Sequence, residues 1–283
     1  MITLLLTFAA TLLCAGAYAA DPELYCADLT YDGFTTRSYT FATRGDRTLV
    51  LEIDLPEQGD AGGPRPFVVY VPGGSWRTCG IGAFRRQSAY LASQGIAGVR
   101  IVYSLVGDGA DFSAGLEELQ AARDLVAARA GELGLDTLRF GYVAASAGTP
   151  LAADEALSQA GCRFFVGYNG IYDLTRRIDG SRFPEEGTPY LAPFSDGELR
   201  DFSPVNRIGA DPPTVALFHG RADRTISWKQ SQLFCDAVRA ADGRAEIVLY
   251  DDARHGFFNY GKSDYHEEVT RKTAAFIFSV LGE

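Results

Sequence analysis

A serine at position 146 stands between a short apolar run and a cluster of small residues, within the stretch Leu138–Ala153. The succession of apolar residues, small residues and helix formers is typical of a strand, a sharp turn and a helix. A serine in such a turn projects from the end of a sheet, beside the backbone N–H groups that follow it and the N-terminus of the helix. Ser146 is therefore a candidate nucleophile, although small residues around a serine are also common in ordinary loops.

A serine hydroxyl becomes a useful nucleophile when a base accepts its proton, and an imidazole in that role needs a carboxylate to fix its tautomer. His255 is the candidate base and follows the apolar run Glu246–Tyr250. Asp223 is the candidate acid and follows the run Val215–Phe218. Asp173 stands after a further apolar run and remains an alternative acid.

The remaining histidines and the cysteines do not suggest a metal site. We predict that His219, within a strand end, is structural and that His266, in the charged stretch Asp264–Glu268, is solvated. The sequence has three histidines, scattered cysteines and no Cys-x-x-Cys pair, so it predicts no zinc site. No other metal or cofactor is predicted.

Apolar runs alternate with segments of helical spacing along most of the chain. The predicted strands are Thr35–Phe41, Leu49–Leu55, Phe67–Val71, Ile96–Val102, Leu138–Ala144, Phe164–Tyr168, Val215–Phe218 and Glu246–Tyr250. The predicted helices are Phe84–Gln94, Ser113–Arg129, Ala147–Ala160, Ser227–Ala241 and Asp264–Leu281. This order predicts an α/β fold, with a mostly parallel twisted central sheet, an N-terminal antiparallel hairpin and helices on both faces.

The domain organisation follows from the same alternation. No repeat, charge block or linker divides the chain, so we predict a single domain over residues 20–283. Residues 174–204 are rich in glycine, proline and aromatic residues without a clear period, and we predict a lid-like insertion there.

Ligands of an open parallel sheet bind outside the carboxyl ends of its strands. The loop Gly73–Ser75, Ser146, Asp223 and His255 each follow a predicted strand, which predicts one site at that edge.

Five motifs together resemble those of the secreted esterase/lipase-like α/β-hydrolases, from about Leu49 to the C-terminus. They are Val71–Trp76, Gly134–Asp136, Ala144–Gly148, His219–Asp223 and His255–Phe257. The nucleophile, acid and base also occur in the chain order of that fold. The resemblance implies an α/β-hydrolase fold and an oxyanion hole formed by the N–H groups of Gly74, Ser75 and Ala147.

The sequence departs from the family pattern around the oxyanion loop. Pro72 stands where the family has a histidine, and Ser75 replaces a third glycine. Pro72 cannot supply the imidazole that braces this loop in the family, so the loop lacks its usual support. Trp76 and Tyr190 are candidates to line an acyl or sugar pocket, although aromatic side chains are at least as often part of the core.

The resemblance implies a secreted serine carboxylic-ester hydrolase with a Ser-His-Asp triad that removes acetyl or similar small acyl groups from carbohydrate or small-molecule esters. A serine peptidase of the prolyl-oligopeptidase type and a non-catalytic binding protein on a hydrolase scaffold are the alternatives. The formal net charge of −10, without a basic run, argues against a nucleic acid or an anionic membrane as partner.

The first residues predict export. Residues 1–19 combine an apolar stretch with Ala17-Tyr18-Ala19, a small-x-small pattern typical of a signal peptide, so we expect the protein to be secreted or periplasmic. The apolar stretch is too short to span a bilayer stably, so no membrane insertion is expected after cleavage.

The mature chain would keep four cysteines, and we expect at least one disulfide, with the pairing open. The four are Cys26, Cys79, Cys162 and Cys235.

Overall fold

The computed structural model of the protein describes residues 31–57, 63–175, 183, 188–259 and 261–282. The predicted signal peptide and Cys26 lie outside the described residues. Within the described residues, Cys79, Cys162 and Cys235 are free thiols. The expectation of a disulfide is therefore not supported.

Eight strands and six helices alternate along the described chain. The strands are β1 (Phe34–Arg44), β2 (Arg47–Pro56), β3 (Arg65–Val71), β4 (Ala97–Ile101), β5 (Leu135–Ala145), β6 (Cys162–Tyr168), β7 (Thr214–Gly220) and β8 (Ala245–Tyr250). The helices are α1 (Arg85–Ser93), α2 (Phe112–Leu133), α3 (Thr149–Ser158), α4 (Asp196–Phe202), α5 (Lys229–Ala240) and α6 (Tyr265–Leu281). The predicted strands and helices all occur, with shifted ends, and the predicted fold class is confirmed.

The strands form one sheet in the order β1-β2-β4-β3-β5-β6-β7-β8. The hairpin β1–β2 is antiparallel, as predicted, and β2 also pairs antiparallel with β4. The strands from β4 to β8 in that order run parallel to one another. From β3 the chain adds β4 on one side of the sheet, and from β5 onward it adds strands on the other side, so the order of strands reverses between the neighbours β3 and β5. A crevice opens at such a switch point, outside the carboxyl ends of the two strands.

Helices cover both faces of the sheet, which explains why the parallel strands consist mostly of apolar residues. On one face, α2, α3 and α5 pack against side chains such as Val69 and Leu217. On the other face, α1 and α6 pack against side chains such as Val68 and Ala216. The alternating residues of each strand therefore enter two separate cores, and the two cores fix the positions of the strand ends.

Two elements differ from the prediction. The helix predicted from Ala147 begins at Thr149, because residues 146–148 form a tighter 3-10 turn. Helix α4 lies within the segment 174–204, for which no helix was predicted. Ser195 and Glu198 form a capping box at its start, and this Ser-x-x-Glu pattern was the available sequence signal. The assignment of this segment as a lid-like insertion stays a prediction.

Candidate active site

The turn after β5 holds Ser146 in a strained conformation. Its φ of 49° lies in the left-handed region, which is unusual for a residue other than glycine. Two glycines make the turn possible because the backbone passes close to each. A Cβ on Gly73 would lie 2.9 Å from the Ser146 Cβ, and a Cβ on Gly148 would lie 2.4 Å from the Pro72 oxygen. The small residues seen in the sequence therefore allow the loop after β3 to pack directly against the turn.

Ser146, His255 and Asp223 form one hydrogen-bonded chain. The Ser146 Oγ lies 3.0 Å from Nε2 of His255, and Nδ1 of His255 lies 2.7 Å from Oδ2 of Asp223. Because Asp223 is an acceptor when ionised, Nδ1 of His255 carries the proton and donates it to the carboxylate. Nε2 is then unprotonated and accepts the hydrogen bond of the Ser146 hydroxyl. This is the protonation state in which the imidazole can act as a general base.

Asp223 is held as a carboxylate by its surroundings. Burial raises the pKa of the group, but hydrogen bonds from His219 and His255 outweigh the burial, and the pKa lies below its usual range. Its second oxygen, Oδ1, accepts the backbone N–H groups of Thr225 and Ile226 at 2.8 and 3.0 Å. The carboxylate thus stays charged and fixed at neutral pH.

The alternative acid, Asp173, has different partners. Its Oδ1 accepts hydrogen bonds from the backbone N–H and the hydroxyl of Thr175, at 2.9 and 2.6 Å. Its own N–H donates to the Gln230 side chain. These bonds stabilise a turn after β6, and the structure brings Asp223 rather than Asp173 to His255.

The loop after β3 brings backbone donors to the nucleophile. Gly74, Ser75 and Trp76 all have positive φ values, so the chain turns sharply there. Gly74 accepts the N–H groups of Arg77 and Thr78 through its carbonyl, at 2.9 and 3.0 Å. Within the described residues, no backbone acceptor pairs with the N–H groups of Gly74 and Ser75. These donors are therefore available to a bound oxyanion.

Ser146 opens into a pocket of about 270 Å³. The oxyanion loop from Pro72 to Ser75, His255 and the rings of Phe84 and Phe258 form its walls. A pocket of this size accommodates a small organic group beside the Ser146 hydroxyl. Among the described residues, no group of three or more His, Cys, Asp or Glu side chains is placed to hold a metal ion.

Trp76 and Tyr190, predicted to contact substrate, lie in the core behind the oxyanion loop. Their side chains are 2% and 0% exposed, and neither lines the 270 Å³ pocket. Their rings stack with centroids 5.3 Å apart and planes 6° apart, and the Tyr190 hydroxyl donates to the Ser104 carbonyl. The stacking holds Tyr190, a residue of segment 174–204, against Trp76 of the oxyanion loop. Both rings therefore support the loop from behind and do not form a wall of the pocket.

The two remaining histidines are both buried. His219, 0% exposed, is structural as predicted, with Ser231, the Ile226 carbonyl and Asp223 around its ring. The prediction that His266 is solvated is wrong, because its side chain is 4% exposed and its Nδ1 donates to the Phe258 carbonyl at 2.6 Å. His266 lies on the buried face of α6, and the charged residues of its stretch lie on the other faces of the helix. It thereby fixes the loop that follows His255.

Sequence reasoning missed one buried polar contact to that same loop. Asn169 follows β6, has a φ of 38° and is fully buried. Its Oδ1 accepts the backbone N–H of Gly256 at 3.2 Å, next to the candidate base. Asparagine tolerates the left-handed region better than most residues, and its place directly after an apolar run was the available signal.

Comparisons with known proteins agree with this fold. The BD-FAE family model matches residues 51–173, and the dienelactone hydrolase family model matches residues 203–283. An isoprenylcysteine alpha-carbonyl methylesterase of Arabidopsis thaliana is 28% identical over 259 residues, covering 77% of this chain and 58% of the relative. Esterase LipQ of Mycobacterium tuberculosis is 26% identical, covering 75% of this chain and 55% of the relative. The chain therefore spans just over half the length of these curated relatives.

The structural comparison extends over most of the chain. A propionate-bound esterase of Thermogutta terrifontis superposes with a TM-score of 0.75 and 24% identity, covering 88% of this chain and 94% of the other. This likeness shows the fold. The sheet order and the strained serine turn agree with this likeness, and the chain has the α/β-hydrolase fold, with two parts that resemble the BD-FAE and dienelactone hydrolase families.

Proposed function

We propose that this protein is a serine carboxylic-ester hydrolase. The observation that carries the proposal is the hydrogen-bonded chain from Ser146 through His255 to Asp223, at the wall of a pocket that the oxyanion loop also lines. The named activities of the relatives, a methylesterase and an esterase, support the same reaction class.

The residues can perform the reaction in two half-cycles. Oγ of Ser146 attacks the ester carbon while Nε2 of His255 takes its proton, and the carbonyl oxygen becomes an oxyanion beside the N–H groups of Gly74, Ser75 and Ala147. The carbon–oxygen bond to the alcohol then breaks, and His255 gives the proton to the leaving oxygen. Water repeats the attack on the acyl-serine and releases the acid. Asp223 keeps its charge and stabilises the imidazolium in both half-cycles.

For the substrate, we propose acetyl or similar small acyl esters of carbohydrates or small alcohols. The pocket volume of about 270 Å³ supports a small group over a long alkyl chain. The Thermogutta esterase, which shares the fold, was solved with propionate, a short acid. We also propose that the protein is exported, on the basis of the signal pattern in residues 1–19.

A substrate panel tests this proposal. The panel contains p-nitrophenyl acetate, butyrate and decanoate, an acetylated xylan and a proline-containing peptide anilide. We expect the acetate to be hydrolysed at least about tenfold faster than the decanoate, because a single methylene in a hydrophobic pocket already changes specificity by roughly 10–200-fold. Release of acetate from xylan and no cleavage of the anilide are also expected. Faster hydrolysis of the decanoate would contradict the small-acyl proposal, and comparable anilide cleavage would favour the peptidase alternative.

Two serine variants separate catalysis from binding. Ser146→Ala should lose the activity on every ester of the panel, because it removes the nucleophile. Ser93→Ala is the matched control, since its hydroxyl bonds to the Tyr90 carbonyl at the end of α1. Equal background rates for wild type and Ser146→Ala would instead support a non-catalytic protein on a hydrolase scaffold.

A further inference from the structure

Tyr103, just beyond β4, bonds to the start of the oxyanion loop. Its hydroxyl donates to the backbone carbonyl of Pro72 at 2.8 Å, and its side chain is fully buried. Pro72 is the first residue after β3 and precedes the proposed donors Gly74 and Ser75 by two and three positions. A hydroxyl from the neighbouring strand end thus holds the point at which the loop leaves the sheet.

The Pro72 carbonyl also lies against the turn of the nucleophile. A Cβ added to Gly148 would come within 2.4 Å of the Pro72 oxygen and 2.6 Å of the Val71 oxygen. The Pro72 carbonyl is therefore clamped between the Tyr103 hydroxyl on one side and the backbone of Gly148 on the other. Gly148 is two residues after Ser146, so the position of this carbonyl determines the spacing between the oxyanion loop and the nucleophile.

The backbone next to Tyr103 is held in place by hydrogen bonds to two other segments. The next residue, Ser104, donates its N–H to the buried carboxylate of Glu118 at 2.7 Å and accepts the Tyr190 hydroxyl at 3.1 Å. Burial raises the pKa of Tyr103 well above its usual value, so its hydroxyl keeps its proton at any working pH. The tyrosine is thus a permanent donor on a fixed backbone.

We propose that Tyr103 is a positioning residue for the oxyanion hole: by holding the Pro72 carbonyl, it places the N–H groups of Gly74 and Ser75 at the right distance from Ser146. This supplies a support for a loop in which Pro72 has no side-chain donor of its own. Tyr103 does not contact the reacting atoms, and it acts through the loop. The inference rests on the proposed ester hydrolase function.

The test measures the oxyanion hole directly. Tyr103→Phe removes one hydroxyl and leaves the Pro72 carbonyl without its donor. The probe is 1,1,1-trifluorobutan-2-one, whose carbonyl carbon is attacked by the Ser146 oxygen while His255 takes the proton, so that a hemiketal oxyanion occupies the hole. A misplacement of about 1 Å can cost roughly 10²-fold in a preorganised site. We therefore expect the inhibition constant of the ketone to rise about 10–100-fold, with kcat for p-nitrophenyl acetate falling in parallel and KM changing less than about threefold.

A purely structural role gives a different result. If Tyr103 only stabilises the fold, the variant contains fewer active molecules, which lowers the apparent kcat but leaves both KM and the inhibition constant unchanged. An unchanged inhibition constant would therefore overturn the proposal. If Tyr103→Phe does not fold, Tyr103→Met also lacks the donor, has a side chain that adapts to irregular spaces, and is judged by the same criterion.

Tyr142→Phe is the matched control. Tyr142 is a buried tyrosine of β5, and its hydroxyl accepts from the Gln159 side chain instead of contacting the oxyanion loop. Its removal should leave the inhibition constant within about twofold of wild type, since no loop contact is lost. Wild-type protein that does not hydrolyse p-nitrophenyl acetate would refute the proposed function, whereas active wild type with an insensitive Tyr103→Phe variant would refute only the role of Tyr103.

Discussion

Replacing Asp223 with asparagine should disable the base even though the shape of the side chain hardly changes. Oδ1 of Asp223 accepts the N–H groups of Thr225 and Ile226, so the amide oxygen of Asp223→Asn should keep that position. The amide nitrogen then faces Nδ1 of His255, which in wild type donates to Oδ2 at 2.7 Å. Two donors cannot pair, so His255 should adopt the tautomer with its proton on Nε2. In that tautomer it cannot accept the proton of Ser146.

The size of the effect follows from the lost charge and the wrong tautomer. A carboxylate and an imidazolium with charge centres about 4 Å apart attract by roughly 4 kcal/mol at an effective dielectric constant of about 20. This corresponds to a factor of about 10³ in rate. A wrong tautomer in the analogous serine protease triad costs on the order of 10⁴. We therefore expect kcat/KM of Asp223→Asn to fall about 10³–10⁴-fold.

The assay compares kcat/KM for p-nitrophenyl acetate in Asp223→Asn and Asp173→Asn. Asp173→Asn is the matched control, because Asp173 bonds to Thr175 and not to His255. It should keep activity within about threefold of wild type, as expected for a residue outside the site. A loss of less than tenfold in Asp223→Asn, or a selective loss in Asp173→Asn, would refute the assignment of the acid.

Three further changes test the turn, the aromatic support and a buried carboxyl group. Gly148→Ala should lower kcat at least about 10²-fold, because the added Cβ would meet the Pro72 oxygen at 2.4 Å; unchanged kinetics would contradict this close packing. Tyr190→Ala should lower the free energy of unfolding in urea by about 3–5 kcal/mol, since it removes a buried ring stacked on Trp76, and a loss below about 1 kcal/mol would contradict that role. Burial raises the pKa of Glu155 from 4.5 to about 7, so the folded state binds this proton more tightly and wild-type stability should fall as the pH rises from 4.5 through 7. Glu155→Gln should accordingly raise the melting temperature at pH 8 but not at pH 5, and a gain at both would contradict the shift.

The fold and the reacting residues are largely predictable from the sequence because both depend on local patterns. A strand buried on both faces is mostly apolar along its length, so the parallel strands stand out as nearly continuous apolar runs. Parallel strands end at one edge, so polar residues placed after the runs of β5, β7 and β8 must come near one another. This is why the sequence alone predicts Ser146, Asp223 and His255 as members of one site.

The supporting contacts could not be predicted, because they join residues far apart in the chain. Trp76 stacks on Tyr190, and nothing local in either segment indicates a partner in the other. The sequence around His266 is charged, but the helix turns that one residue inward to the Phe258 carbonyl. The bond from Tyr103 to the Pro72 carbonyl involves a backbone acceptor, which leaves no signal in residue types. Such contacts follow from tertiary packing rather than from pattern.

The most direct test of the central claim is covalent trapping of the nucleophile. Wild-type protein, Ser146→Ala and Ser93→Ala are incubated with p-nitrophenyl diethyl phosphate, and the digested proteins are analysed by mass spectrometry. The hydrogen bond from Ser146 to His255 makes this serine more reactive than an ordinary hydroxyl. We expect one diethylphosphoryl group per molecule on the peptide containing Ser146, release of one equivalent of p-nitrophenol, loss of esterase activity in parallel, and no labelling of Ser146→Ala. Labelling of Ser146→Ala at the wild-type rate, or full esterase activity in that variant, would contradict the claim that Ser146 is the nucleophile.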